Sequence, residues 1–183
     1  MPETVNYAEI ATKFGSVADR FCALVDTARS LDRAELLLQL YRILPVLLTE
    51  AIVLPDVDLY GRDEPDDPNE DLSDNRVRAP MGTDEWRELY QSLKEKFGDA
   101  DVYWEVFDPT VKEEAIAASL ADDIADIYRD LKEGLVLAEK QPASPEQLIW
   151  DWRFGFYSHW GEHATGALRT LHSLLDDKLG GLE

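Results

Sequence analysis

The chain has 183 residues, of which 45% are hydrophobic and 31% are charged. This length suits a single domain with a core of its own, and the composition argues against a globally disordered chain. The formal net charge of −20 repels phosphates and anionic lipid, so it argues against a general role in binding nucleic acid or membranes. A single cysteine excludes an internal disulfide and a zinc site of several cysteines.

Two segments of the sequence indicate the cellular compartment of the protein. Residues 1–15 have neither a basic start nor an apolar stretch, so they do not resemble a secretory signal. The most apolar window, residues 34–54, contains Glu35, Arg42 and Glu50, which are costly at membrane depth. We therefore expect a cytoplasmic protein in which this window forms a buried helix.

The first half of the chain predicts two helices. Apolar residues in residues 7–28 alternate at spacings of four and three, which is typical of a helix with one narrow buried stripe. The second helix is predicted to begin after Asp32, because Asp32 followed three residues later by Glu35 has the form of a capping box. This helix is apolar on nearly every side, which predicts a place in the middle of a bundle, with a kink at Pro45.

An acidic segment follows the second helix. Residues 56–74 contain nine acidic residues and one basic residue, which together account for −8 of the net charge. Pro65 and Pro68 add further breaks. The sequence therefore predicts a long acidic loop over residues 55–82, between the second and third helices.

Two more helices are predicted in the middle of the chain. Acidic residues follow Thr83 and Gly98 follows Phe97, so the third helix is expected over 83–97. Residues 102–107 are apolar and aromatic, but no strand partner is evident nearby, so an extended loop packed on the bundle is expected. A fourth helix is predicted over 113–138, with a buried stripe that begins at Ile116.

The last predicted helix runs from Pro145 to about Leu179, with Ser144 as its N-cap. Six of its residues between 150 and 160 are aromatic. A ligand-binding or partner-binding surface is therefore predicted, formed by Trp152, Arg153, Phe156 and Trp160.

The same helix carries two histidines four residues apart. At 100° per residue, His159 and His163 share the face expected to point into the core. Such a pair is a two-ligand half-site for zinc or iron, and the alternative is a hydrogen-bonded pair in the core. His172 lies nine residues beyond His163, roughly 13 Å along a helix, so it is too far away to join. Further ligands are therefore expected to be carboxylates of neighbouring helices, with Glu50 as one candidate.

An acidic row on the fourth helix is a separate candidate. Asp122, Asp123 and Asp126 form a D-D-x-x-D pattern that Asp130 extends. Carboxylates at this spacing can share a magnesium ion and present it to pyrophosphate. The alternative is an ordinary solvated helix face on a very acidic chain.

Three stretches of the chain resemble a bacterial family known only as domain of unknown function family 5063. They are the Leu-Tyr and Leu-Pro pairs within residues 40–55, the segment SLADDIADIYRDL over 119–131, and residues 152–172, with His-Trp-Gly followed by His-Ala at their centre. The resemblance implies an all-helical up-and-down bundle and carries no activity. The acidic loop is unlike the family and is interpreted as an insertion.

These observations predict an all-α, up-and-down bundle of four to five helices in one domain spanning residues 1–183. The sequence contains no complete catalytic constellation, which favours a protein-binding or adaptor module without a cofactor, whose partner carries a basic patch. One alternative is a metal-dependent hydrolase or transferase that uses His159 and His163. Another is a magnesium-dependent pyrophosphohydrolase that uses Asp123, Asp126 and Asp130. A homodimer through the stripe of the first helix is a further alternative.

Overall fold

The computed structural model of the chain describes residues 5–59, 81–106, 108–140 and 143–179. These residues form a helical bundle with one small sheet. The helices are α1 (Tyr7–Asp26), α2 (Arg33–Ile52), α3 (Thr83–Phe97), α4 (Leu120–Lys140), α5 (Pro145–Gly155) and α6 (Gly161–Leu179). A π-helical turn, Phe156–Trp160, joins α5 to α6, so this last part is one long helical rod. With α5, the π turn and α6 counted as one rod, the described residues contain five helices, so the predicted all-α bundle of four to five helices is confirmed.

Capping residues account for several helix starts. The side chain of Asp32 accepts a hydrogen bond of 2.8 Å from the Glu35 N–H at the start of α2. Ser144 accepts one of 3.1 Å from the Gln147 N–H at the start of α5. Both side chains satisfy a backbone donor that a helix N-terminus leaves free. Most of the predicted acidic loop, residues 60–80, lies outside the described residues.

A β-hairpin replaces the predicted extended loop. Strand β1 (Val102–Glu105) pairs in antiparallel register with β2 (Ile116–Ser119), so that Trp104 lies opposite Ala117. The prediction of an unpaired segment at 102–107 was therefore wrong. The partner strand β2 lies within residues 113–138, which the sequence predicts as the fourth helix.

Helix α4 accordingly begins at Leu120 and not at residue 113. Asp101, which is buried beside β1, caps it from outside the helix. The backbone carbonyl of Asp101 accepts from the Leu120 N–H at 2.8 Å, and its side chain accepts from the Ala121 N–H at 2.8 Å. Ile116 is half exposed on the hairpin and is not part of a buried helix stripe.

The central helix of the bundle is α4, which contacts α1, α3, α5 and α6. Helix α2 packs mainly against α1 and α6, and Pro45 and Val46 on it are exposed. The sequence had placed α2 in the middle because it is more apolar. The acidic residues of α4 are compatible with a central position because polar side chains of neighbouring elements form hydrogen bonds with them.

Trp152 of α5 fills the space between α1 and α4. Its ring lies 5.0 Å from that of Phe14, centroid to centroid. On the α4 side the indole covers Gly134, where an added Cβ would lie 2.1 Å from the indole Nε1. The side chain is thus enclosed on both sides and has no room to move.

None of the described helices is long and apolar enough to cross a membrane.

We expect Gly134→Ala to destabilise the protein. The new methyl group overlaps the buried indole, and such overpacking costs about 1–3 kcal/mol, offset by about 1 kcal/mol of helix propensity. The difference in the free energy of unfolding, measured by urea denaturation, therefore lies in the range of about 0–2 kcal/mol, and the close approach of 2.1 Å places the expected loss near the upper end.

Gly15→Ala is the matched control, because Gly15 faces the same indole from α1 and an added Cβ would lie 3.4 Å from it. We expect this variant to be as stable as the wild type or slightly more so. Equal stability of the two variants would show that Trp152 is not confined by α4.

Candidate metal centre

One face of α4 carries carboxylates toward the π turn and α6. Asp123, Asp126 and Asp130 follow one another at spacings of three and four, so they share that face. Asp123 is 4% exposed and Asp126 is 8% exposed. The interpretation of this row as a solvated helix face is therefore wrong for these two residues.

The two histidines meet this row with one carboxylate behind each ring. Nδ1 of His159 lies 2.8 Å from a carboxylate oxygen of Asp130, and Nδ1 of His163 lies 2.9 Å from one of Asp123. A carboxylate can only accept, so each Nδ1 carries the hydrogen. In the neutral imidazole, Nε2 then keeps its lone pair free for another partner.

Both Nε2 atoms converge on the third carboxylate. The same oxygen of Asp126, Oδ2, lies 3.6 Å from Nε2 of His163 and 3.9 Å from Nε2 of His159. These separations are too long for direct hydrogen bonds. The two rings stand 4.8 Å apart, centroid to centroid, at 70° to each other.

The other carboxylate oxygen of Asp126, Oδ1, has two partners that fix the orientation of the group. The indole Nε1 of Trp86, on α3, donates to Oδ1 of Asp126 at 2.8 Å, and a guanidinium nitrogen of Arg129 lies 2.9 Å from the same atom. The carboxylate is thereby oriented with Oδ2 toward the histidines.

Asp123 has a second partner on the hairpin. The hydroxyl of Tyr103 donates to its other oxygen at 2.7 Å. Burial raises the pKa of the Asp123 carboxyl, against the hydrogen bonds from His163 and Tyr103. The hydrogen bond to Asp123 raises the pKa of His163. Burial and the nearby Asp123 raise the pKa of Tyr103, which therefore remains a hydrogen-bond donor.

The π turn sets the position of the histidines. The Gly161 N–H donates to the carbonyl of Phe156, five residues back, which is the spacing of a π helix. An added Cβ at Gly161 would lie 2.3 Å from that carbonyl oxygen, so only glycine fits. The extra residue of this turn brings Trp160 into the core and leaves the histidines at the edge facing α4. The prediction that both point into the core is thus corrected, since the side chains of His159 and His163 are 39% and 25% exposed.

Asp126, His159 and His163 can each offer one ligand atom, and these atoms lie within 4.8 Å of one another. Ligand atoms at 2.0–2.1 Å from a tetrahedral zinc ion are separated by about 3.3 Å, so a modest contraction would complete a site. Two histidines and one carboxylate also form the ligand set of many non-haem iron sites. The carboxylates behind the histidines match the outer layer of known metal sites, where they fix the tautomer and orient the ring.

Other predicted residues lie elsewhere. Glu50, the carboxylate suggested as a further ligand, pairs instead with Lys13 at 2.7 Å. His172 lies against Tyr41, with Nδ1 3.0 Å from the phenol oxygen. From the sequence, Asp126 is a candidate ligand only for magnesium, and neither Trp86 nor Tyr103 is expected as a hydrogen-bond partner of the acidic row. The signal available for Asp126 was the spacing of three and four residues between the carboxylates along α4. This spacing is similar to the four residues that separate the two histidines.

The four residues of the predicted binding surface are divided. Trp152 and Trp160 are buried in the core, and Phe156 is partly buried beside Trp160. Arg153 lies on the outside, with its guanidinium 4.9 Å from the centre of the Tyr157 ring and 3.2 Å from Asp56. A binding role for these four residues stays a prediction.

Residues 5–177 match the family described as a domain of unknown function, DUF5063. The chain belongs to this family. The match contains every residue of the candidate metal centre. No curated protein matches the chain in sequence.

Among solved structures, the chain is similar to protein BF1032 from Bacteroides fragilis. The TM-score is 0.67 and the sequence identity is 23%, over 88% of this chain and 89% of that one. At this identity the likeness shows a shared fold alone, over most of both chains.

The contact with Asp123 predicts a pH dependence in the metal-free protein. A raised pKa in the folded state means that protonated His163 contributes stability below its ordinary value of 6.5. This contribution is lost as the pH rises through the folded pKa. We therefore expect Asp123→Asn to lower the pKa of His163, read from its imidazole NMR signals, and to reduce the fall in Tm on going from pH 6 to pH 8.

Asp130→Asn removes the same charge from the other histidine and is the control. We expect it to move the pKa of His163 much less than Asp123→Asn does. Equal shifts in the two variants would mean that the general acidity of the site, and not the hydrogen bond, raises this pKa.

Proposed function

We propose that this DUF5063 protein binds one divalent transition-metal ion through Nε2 of His159, Nε2 of His163 and Oδ2 of Asp126. The observation that carries the proposal is the direction of the imidazole rings. Each Nδ1 is occupied by its own carboxylate, and both free Nε2 atoms point to one oxygen of a third. A hydrogen-bonded core pair would not require this convergence.

The charges of the site favour a cation. Asp123, Asp126 and Asp130 lie around two imidazoles, and Arg129 is the cation that contacts the latter two carboxylates. A divalent ion would offset this excess of negative charge in a partly buried place, where charges interact more strongly than in water. The three-carboxylate magnesium site considered from the sequence would need Asp123 and Asp130 as ligands. Both carboxylates are hydrogen-bonded to the histidines instead. A mixed nitrogen and oxygen site suited to zinc or iron is therefore better supported.

Such a centre suits a hydrolase or transferase. Three protein ligands leave at least one position on the metal for water, and the partial exposure of His159 leaves the site accessible. An ion held by these three side chains would supply a water activated for attack near neutral pH, which is the chemistry that hydrolysis or group transfer requires.

The test is the metal content of untagged protein, measured by elemental mass spectrometry. We expect about one zinc or iron ion per chain, and we expect it to be lost in the double variant His159→Ala, His163→Ala and in Asp126→Ala. The physical reason is that the single ligand left in the double variant, or the two ligands left in Asp126→Ala, cannot hold the ion against water and buffer.

His172→Ala is the matched control, because it removes a histidine outside the site, and it should retain the ion. Asp130→Asn should keep the ion but weaken binding about 10–100-fold, as is usual for a carboxylate that orients a ligand. The proposal is overturned if the wild-type protein neither contains metal nor binds added Zn²⁺ or Fe²⁺ more tightly than the double variant.

A second candidate function is the protein-binding module predicted from the sequence. It is supported by an exposed aromatic face on α5 and the π turn. Trp150 and Phe154 stack with ring centres 5.1 Å apart, and Tyr157 is 62% exposed. With Arg153 they line a small groove of about 220 Å³. Aromatic residues and arginine are the types enriched where binding energy concentrates in protein interfaces.

For this candidate we expect Tyr157→Ser to weaken capture of a basic partner protein by at least about tenfold, since aromatic anchors contribute strongly to binding. Val46→Ser, at an exposed apolar residue on α2, is the control and should leave capture unchanged. A partner that is retained equally by both variants does not use this face.

A further inference from the structure

A groove between α3 and the start of α2 carries an unusual concentration of positive charge. Its volume is about 860 Å³, and four cationic side chains line it: Arg29, Arg33, Arg87 and Lys96. Two carboxylates, Glu88 and Glu95, also line it, which leaves a net charge of +2. On a chain with a net charge of −20, a lining in which cationic side chains outnumber carboxylates is unexpected.

Two of the four cations are held by neutral groups. Nε of Arg29 donates to the hydroxyl of Ser92 at 2.9 Å. Nζ of Lys96 donates to the backbone carbonyls of Leu31 at 2.7 Å and Arg29 at 3.2 Å. These bonds position the side chains without neutralising them, so both charges remain available to a ligand.

The other two cations have carboxylate partners outside the groove lining. Arg33 pairs with Asp99 and Arg87 pairs with Asp84. Both carboxylates are almost fully exposed, at 87% and 91%, and exposed ion pairs of this kind are weak. A guanidinium has five N–H donors, so each arginine retains donors for a second anion.

The lining selects the class of ligand. Three guanidinium groups offer the planar forks that match phosphate oxygens, and Ser92 and Gln91 add neutral polar groups. None of the described residues that line the groove is aromatic or aliphatic, so the lining offers no aromatic ring on which a base could stack. The volume is large for a single phosphate ion.

We propose that this groove binds the oligophosphate group of a small molecule, with Arg29, Arg33, Arg87 and Lys96 as its cationic contacts. The site is independent of the proposed metal centre, because the two share no residue. Helix α3 lies between them, with Trp86 directed to Asp126 and Arg87 to the groove.

The experiment is calorimetric titration of the full chain at low salt, with EDTA present so that phosphate does not bind through a metal. The probes are inorganic triphosphate, ATP, orthophosphate and citrate. We expect triphosphate and ATP to bind with one site per chain, and orthophosphate and citrate at least about tenfold more weakly. Equal affinities for the first two indicate that the phosphate chain alone is recognised, and tighter binding of ATP identifies a nucleotide as the source.

The variant Arg29→Gln, Arg87→Gln should weaken triphosphate binding at least about tenfold, because it removes two charge-assisted contacts. The control Arg20→Gln, Arg42→Gln changes the net charge equally at exposed arginines outside the groove and should bind within about twofold of the wild type. If the first variant has a much lower Tm, Arg29→Lys, Arg87→Lys keeps the charges and tests the guanidinium forks alone.

Three results would overturn the proposal. They are no binding of triphosphate, an equal loss of affinity in the control variant, and binding of citrate as tight as that of triphosphate. His159→Ala, His163→Ala should bind triphosphate as the wild type does, so the failure of one proposal leaves the other intact.

Discussion

The burial of two carboxylates on the central helix is the constraint on which the arrangement around α4 depends. A buried carboxylate is strongly unfavourable unless donors surround it. Asp123 receives them from Tyr103 on β1 and His163 on α6, and Asp126 from Trp86 on α3 and from Arg129. Three separate elements are thus oriented on one face of α4. The same contacts that satisfy the carboxylates also align the two imidazoles.

The π turn and the β-hairpin, the two irregular parts of the fold, position side chains against this face of α4. The π turn needs Gly161 and places His159 and His163 at the edge of the bundle, opposite the acidic row. The hairpin brings Tyr103 to Asp123, and Asp101 beside it caps α4 at Leu120. π turns inside α-helices are often found at functional sites. In this protein the irregularity and the candidate metal centre coincide.

Charged side chains are unevenly distributed between the two proposed sites. Three carboxylates, those of Asp123, Asp126 and Asp130, lie where a cation would be held, whereas cationic side chains outnumber carboxylates by four to two in the lining of the groove beside α3. The two proposed sites therefore differ in the sign of the ligand that they attract, and each is independent of the other. The aromatic face of α5 shares no lining residue with either site, and it is the surface proposed for contact with another protein.

The sequence by itself determined the helical class, most helix ends and both halves of the candidate site. Capping at Asp32 and Ser144 and the glycine after Phe97 are local signals, because a helix end is decided by a few neighbouring residues. The strand at 116–119 was misassigned because its partner at 102–105 is a non-local pairing. The D-D-x-x-D row and the histidine pair were each visible, but only tertiary packing decided that they face one another. Trp86 and Tyr103 had no local signal, since their roles exist only where helix and strand meet α4.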